Sequence, residues 1–112
     1  MEMLEGILNS YPYPIVFVDN DYIIRYMNRN AEYHYYEERG YKDLIGKSLF
    51  DCHNSEQSIE RIKSAWEGMK KNGKEVFVTI TSRNQRVYMQ GVRDYKGNWI
   101  GFIERFELNL QK

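Results

Sequence analysis

The chain has one cysteine, two prolines, no long apolar run and no excess of either charge, and each shortage excludes something. A single cysteine cannot form an intramolecular disulfide, and the paired Cys/His spacing of a structural zinc site is absent; a reducing cytosol fits such a chain best. No stretch approaches the roughly 20 apolar residues that span a bilayer. The opening Met1-Glu2-Met3-Leu4-Glu5-Gly6 is acidic where a signal peptide is basic. A cytoplasmic location and no membrane partner are the resulting expectations. Sixteen Lys and Arg balance sixteen Asp and Glu, so net charge offers nothing to nucleic acid. Only Lys70, Lys71 and Lys74 cluster, where a helix should end and cations complement its dipole. No internal repeat is visible.

What is plentiful is aromatic: ten Tyr, five Phe and two Trp. Tyr joins a large apolar body to a polar tip and suits a polar-lined cavity and a protein interface equally. The 112 residues are enough for one domain that buries roughly 65% of its unfolded surface. Residues 1–112 are therefore read as a single domain, with 1–10 as an N-terminal helix available for dimer contact and 107–112 as a C-terminal tail.

Leu4, Ile7 and Leu8 put one apolar stripe on that short helix, which Tyr11-Pro12-Tyr13-Pro14 ends. Being marginal alone, it must pack on its own sheet or on a second copy. Ile15-Val16-Phe17-Val18 and Tyr22-Ile23-Ile24-Arg25-Tyr26-Met27, joined by Asp19-Asn20-Asp21, read as a hairpin whose first strand is buried on both faces. From Asn28 to Glu38 a short tyrosine-rich helix is expected, with Asn28 or Asn30 as N-cap, Gly40 as stop, and Ala31, His34 and Tyr35 on one side.

Asn54 and Gln57 have the form of a capping box. Ile59, Ile62, Trp66 and Met69 then repeat at helical spacing until Asn72-Gly73, with Glu67 and Lys71 as a supporting pair. This should be the longest helix, laid across a sheet. Three alternating stretches follow, Glu75 to Thr81, Arg86 to Arg93 and Trp99 to Phe106, linked by hairpin turns at 82–85 and 94–98. Gly91 and Gly101 fall inside strands, which weakens them unless something approaches the backbone closely. Two strands, then helices, then three strands make an α+β domain: one antiparallel sheet, helices across one face, and a helix-lined cavity between them.

Between the helices, Leu44 to Asn54 has no sustained period and holds Cys52 and His53. A Cys-His nucleophile is disfavoured, because neighbours do not face each other in a helix or strand and no orienting third residue or oxyanion site can be read. The chain is read as no enzyme. Cys52 reads as a small buried hydrophobe and His53 as a helix-entry residue, with ligand contact as its alternative. His34 reads as structural or surface. For Trp66 and Met69, core packing outweighs stacking on a ligand.

The order Pro14-Ile15-Val16-Phe17-Val18-Asp19, Ile24-Arg25-Tyr26-Met27-Asn28, Asp43-Leu44-Ile45-Gly46-Lys47-Ser48-Leu49-Phe50 and Val92-Arg93-Asp94-Tyr95-Lys96-Gly97-Asn98-Trp99-Ile100-Gly101 resembles a PAS domain from about Leu8 to Phe106. The resemblance implies a five-stranded antiparallel sheet in the order 2-1-5-4-3 with helices cupping a pocket on one face. It also implies sensing of a small molecule or cofactor, or protein association, with dimerisation through N-terminal helices or the sheet. Asn28 would cap the first pocket helix, and Leu44 to Asn54 would form a mobile wall. Where the family's last strand commonly ends in Asp-Ile-Thr, this chain has Glu107-Leu108-Asn109, and no effector domain is expected in it. Flavin photosensors of the family place their reactive Cys three residues after a Gly, a position held here by Leu49, with Cys52 six residues after Gly46; a flavin photoadduct is therefore not expected.

The function expected is a signal-transduction sensor that binds a small, largely apolar ligand between sheet and helices and signals through a homodimer or through an effector in trans, such as a kinase or transcription regulator. The expected ligand contacts are Tyr35, Phe50, His53, Trp66, Tyr88 and Gly91. A ligand-free association module is the alternative, and a haem or redox sensor using His53 the third. No metal site, catalytic residue or nucleic-acid partner is expected, and the cofactor is left open.

Overall fold

Ile15-Val16-Phe17-Val18 and Ile24-Arg25-Tyr26-Met27 carry β-branched and aromatic side chains on either side of a polar turn, and so pair as strands. In the computed structural model, which describes residues 2–53 and 55–110, they form β1 (Ile15–Asp19) and β2 (Ile24–Met27), antiparallel with Phe17 opposite Tyr26. Asp19 closes their turn: its Oδ1 accepts from the amides of Asp21 and Ile23, and its Oδ2 from Arg25 Nε at 2.7 Å.

The C-terminal half alternates as expected and gives a meander of β3 (Val76–Ile80), β4 (Gln85–Arg93) and β5 (Trp99–Leu108). β5 is the central strand, because it pairs with β4 on one side and β1 on the other. The sheet order is β2-β1-β5-β4-β3, antiparallel throughout, the order the resemblance implies. β5 continues to Leu108, two residues into the segment read as a tail. Asn109 follows it down, its amide donating to the Asn84 carbonyl (3.0 Å) while Asn84 Nδ2 donates to the Asn109 carbonyl (3.1 Å).

The helices cover one face. Asn28 caps α2 (Arg29–Glu32), as expected, and the chain runs on as a π-helix over Tyr33–Glu38. The expected helix thus has the right extent, but its second half is wound wider. α3 (Glu56–Asn72) is the longest helix and ends at Gly73, which takes the left-handed conformation a glycine adopts without steric cost (φ 68°). Its N-cap is Ser55, whose hydroxyl accepts from the Ser58 amide at 3.1 Å; the expected cap residue Asn54 lies outside the described residues. Glu67 pairs with Lys70 at 3.0 Å, one residue short of the expected partner.

α3 buries Ile62, Ala65, Trp66 and Met69 against the inner face of the sheet, where Val16, Val18, Val87, Met89, Phe102 and Phe106 form the floor of the core. Both in-strand glycines mark close approaches, and in both cases the approaching group is protein. A Cβ at Gly91 would lie 2.4 Å from Met69 Cε and from Trp99 Cζ3, and one at Gly101 would collide with the Val18 carbonyl.

α1 (Glu2–Asn9) buries no residue, and Met3, Leu4 and Ile7 are exposed. Of the apolar stripe expected to pack on the sheet or on a second copy, Leu8 meets the outer face of this sheet beside Ile15 and Phe17, while Leu4 and Ile7 stay exposed. No helix among the described residues is long and apolar enough to cross a membrane.

Candidate functional site

Alternation along β5 sends Phe102, Glu104 and Phe106 to the inner face, with Glu104 between Val16 and Met89 on the flanking strands. The two phenylalanines suit a core; the carboxyl does not. Glu104 is only 4% exposed, and its Oε1 has no hydrogen-bond partner among the described residues. Burial raises its pKa, opposed by the nearby imidazole of His53. An orphaned buried oxygen is rare in a folded protein and singles out the place where it lies.

That place is a cavity of about 250 Å³ above Glu104 and Phe106. It is walled by the π-helix (His34, Tyr35), by His53, by the first turns of α3 (Ser58, Arg61, Ile62), and by β3 from Val78 to Ile80 with Thr81 just past its end. Arg39 and Arg61, both exposed, complete the lining. π-Helical turns recur at functional sites because the widened turn re-aims side chains, and here two successive residues, His34 and Tyr35, are both buried.

Each wall residue is held. His34 Nδ1 lies 3.3 Å from Glu38 Oε1, and Glu38 Oε2 takes Arg83 Nη1 at 2.9 Å, which ties the π-helix to the β3–β4 turn. His34 packs edge-on against Tyr35 and Phe106, with centroids 4.8 and 5.3 Å away. Burial depresses its pKa, partly offset by Glu38. Tyr35 is 2% exposed and its phenol is pushed well up by burial and then by Glu104. The Arg39 guanidinium lies 5.5 Å above the Tyr35 ring and 3.4 Å from the Cys52 carbonyl.

Cys52 and His53 do meet, contrary to the expectation from adjacency, because the chain leaves regular structure just after a short 3-10 turn at Leu49–Asp51. Cys52 Sγ is 3.2 Å from His53 Nδ1, and both atoms approach the Leu49 carbonyl at 3.3 Å. A carbonyl only accepts, so the contact with the Leu49 carbonyl is made by a protonated Nδ1. Burial pushes the Cys52 thiol up to about 12, so near neutral pH it is a thiol and no nucleophile. Cys52 is core, as the sequence suggested.

Of the six expected contacts, the cavity brings together Tyr35 and His53. Phe50 lies outside it, its ring 4.9 Å from Tyr22. Trp66 is buried against Phe102 and Trp99 at 5.1 and 5.9 Å. The space at Gly91 is taken by Met69 and Trp99. Tyr88 belongs to the opposite face of the sheet, with the Arg105 guanidinium 4.6 Å above its ring. The wall from Leu44 is strapped to the edge of the hairpin by Gly46 N to Ile24 O, Ile24 N to Lys47 O and Leu49 N to Tyr22 O, at 2.7–2.9 Å. Among its described residues, only His53 lines the cavity.

Sequence reasoning missed Glu104, His34, Arg39 and Arg61. For Glu104 the signal was legible: an acidic residue midway between two inward phenylalanines of an alternating strand. For the arginines there was none, since Arg61 sits on an exposed face of α3 and Arg39 is exposed just past the end of the π-helix.

The lining does not fit a haem. At about 250 Å³ the cavity is smaller than the roughly 300–1,000 Å³ of pockets for drug-sized ligands, and a buried carboxyl in its floor opposes an apolar macrocycle. Nor does any group of three or more His, Cys, Asp or Glu among the described residues make a metal site.

A five-stranded sheet of this order, with a cavity under its helices, defines the class: an α+β fold with helices across one face of an antiparallel sheet. The chain belongs to the PAS domain family, whose model matches residues 4–107. Among solved structures it is similar to the C-terminal domain of a Streptococcus mutans protein (24% identity over 95% of this chain and 82% of that one, TM-score 0.72). It is also similar to a sensory box sensor histidine kinase from Vibrio cholerae (14%, 94% and 85%, TM-score 0.64). A third is the PAS domain of the histidine kinase ThkA (23%, 83% and 95%, TM-score 0.59), a kinase also solved in complex with the response regulator TrrA. At these identities the likeness establishes the fold. No curated protein matches the chain. PAS domains are in general signalling modules rather than enzymes.

Proposed function

We propose that this PAS domain senses a small ligand held between the inner face of the sheet, the π-helix and the start of α3, and that it signals from the cytoplasm by contact with a second copy or an effector in trans. The observation that carries the ligand reading is Glu104 Oε1, buried in the lining of a cavity and without a hydrogen-bond partner among the described residues. Tyr35 and His53 are its proposed neighbours in ligand contact. The lining is more polar than the largely apolar ligand read from sequence requires, so the occupant is small and carries polar groups. A ligand shifts the domain's conformation only by its differential affinity for two states; α3, β3, β4 and β5 each touch both the cavity and the rest of the fold.

A specific feature supports the association half of the reading. The exposed stripe of α1 continues through Leu8 onto Ile15, Phe17, Tyr26, Val92, Ile100 and Ile103, an apolar groove on the outer face of the sheet. Apolar surface of this kind, rimmed by polar residues, marks interaction sites. Likeness to histidine-kinase PAS domains favours a kinase as the partner.

Native mass spectrometry of purified protein, with amide NMR during a small-fragment screen, tests the ligand reading. A retained small molecule, or fragment shifts at Val78, Val87 and Phe106, is expected. A ligand-free protein in which no fragment moves those resonances would leave only the association module. Sedimentation of Ile7→Glu and Ile100→Glu tests the surface, both being expected to weaken self-association. A chain that stays monomeric at millimolar concentration removes the homodimer.

A further inference from the structure

We infer that the cavity takes a compact zwitterion of about the size of a small amino acid, its amino group on Glu104 and its carboxylate toward Arg39 and Arg61. The inference rests on the cavity being a ligand site, as proposed above, and names the chemistry of the ligand. Glu104 needs a donor, and no described residue supplies one to its Oε1. The two arginines of the lining do not ion-pair with it: Arg39 Nη2 reaches the Cys52 carbonyl and the Tyr41 hydroxyl while its guanidinium lies over two rings, leaving its other nitrogens for a ligand, and Arg61 has no ion pair with any described residue. A group held in the cavity supplies the donor that no described residue does. An ammonium group is the donor that best satisfies a buried carboxylate, since it offers charge as well as hydrogen bonds. The aromatic rings of Tyr35 and Phe106 in the lining add faces that attract a cation.

The other end of the cavity has the opposite sign. Arg39 and Arg61 are exposed while Glu104 is buried, so the charge runs from an acidic floor to a basic mouth. Neither arginine has a carboxylate partner among the described residues. A ligand with one positive and one negative group, aligned along that axis, satisfies both. The volume of about 250 Å³ excludes long or bulky members of the class.

Binding of an ammonium requires Glu104 to be ionised. The groups around it are His53, Tyr35, Cys52 and His34, with Arg39 and Arg61 further out. Burial favours the protonated acid, so the ligand displaces a proton and its affinity rises with pH. A ligand held only through its own carboxylate, with Glu104 as a neutral donor, shows the opposite slope.

The test is calorimetry and amide NMR of the full chain with glycine, alanine, β-alanine and γ-aminobutyrate, and with butyrate and propylammonium as single-charge controls. At least one amino acid is expected to bind and shift Val78, Val87 and Phe106, more tightly at about pH 8 than at about pH 5. Glu104→Gln should weaken it by about tenfold or more and Arg61→Gln by about threefold or more, with thermal melts confirming that both variants fold. Equal binding of butyrate or of propylammonium overturns the zwitterion, as does unchanged affinity in Glu104→Gln. If other fragments shift the cavity resonances and none of the amino acids does, the ligand class is wrong and the sensory cavity stands. If nothing shifts them, both fail.

Discussion

Two buried polar side chains divide this molecule into a part that is finished and a part that is not. Asn28, fully buried at the end of β2, uses everything it has: Oδ1 accepts from the amides of Ile15 and Ala31, and Nδ2 donates to the carbonyls of Leu8 and Tyr13, all at 2.9–3.1 Å. One side chain thereby joins the end of α1, the start of β1 and the cap of α2. Glu104, almost as deeply buried in the neighbouring strand but one, leaves an oxygen with no partner among the described residues. A satisfied polar group specifies a fold, whereas an unsatisfied one costs stability.

The sharpest way to break that contrast is to remove the satisfied group. Asn28→Ala orphans two buried amides and two carbonyls at once, and a loss of about 3–5 kcal/mol is expected in urea titration; a loss below about 1 kcal/mol would mean that Asn28 is no junction. The packed half of the inner face gives the next largest effect. Gly91→Val must push Met69 and the Trp99 ring aside, and overpacking of this kind costs about 1–3 kcal/mol. Were Gly91 instead the floor of an open site, the same change would leave stability unaltered and block ligand.

The smallest effect has the opposite sign. Glu104→Gln removes a buried ionisable group, so without ligand it should stabilise the protein by about 1–2 kcal/mol near neutral pH. The pH dependence is the decisive part. Burial raises the carboxyl above its unfolded pKa of about 4.3, so the native state binds the proton more tightly and wild-type stability falls as pH rises from that value to the folded pKa. The advantage of the variant should be near zero at about pH 4 and grow with pH through that window. His34 is depressed by burial and loses stability as pH falls below its unfolded value of about 6.5, but it does so in both proteins and cancels from the difference. A difference in melting temperature that stays flat with pH would show that Glu104 titrates as it does in water.

The contrast also explains which parts of the site could be read in advance. The Cys52-His53 pair drew attention by composition, and its geometry is real, yet the carbonyl they share and the burial of the thiol make it packing. Gly91 was expected to admit a ligand and admits Met69 and Trp99. Strand parity turns Tyr88 to the face opposite Val87 and Met89, whatever its ring would suit. The same parity, with Phe102 and Phe106 on either side, turns Glu104 inward.

Local pattern determined the elements. Alternation with β-branched residues made the five strands, the spacing of Ile62, Trp66 and Met69 made the longest helix, and Asn28 made the cap. The arrangement of motifs carried the sheet order as well, through the family they resemble. These are properties of neighbours in sequence, which the chain states directly. Only the tertiary structure decided that the π-helix turns His34 and Tyr35 together onto Phe106, that Met69 fills the gap at Gly91, and that Arg39 and Arg61 converge on a cavity floored by Glu104. Such convergence joins residues from five different elements, and whether a gap between them is filled or left open depends on the volumes of side chains far apart in sequence.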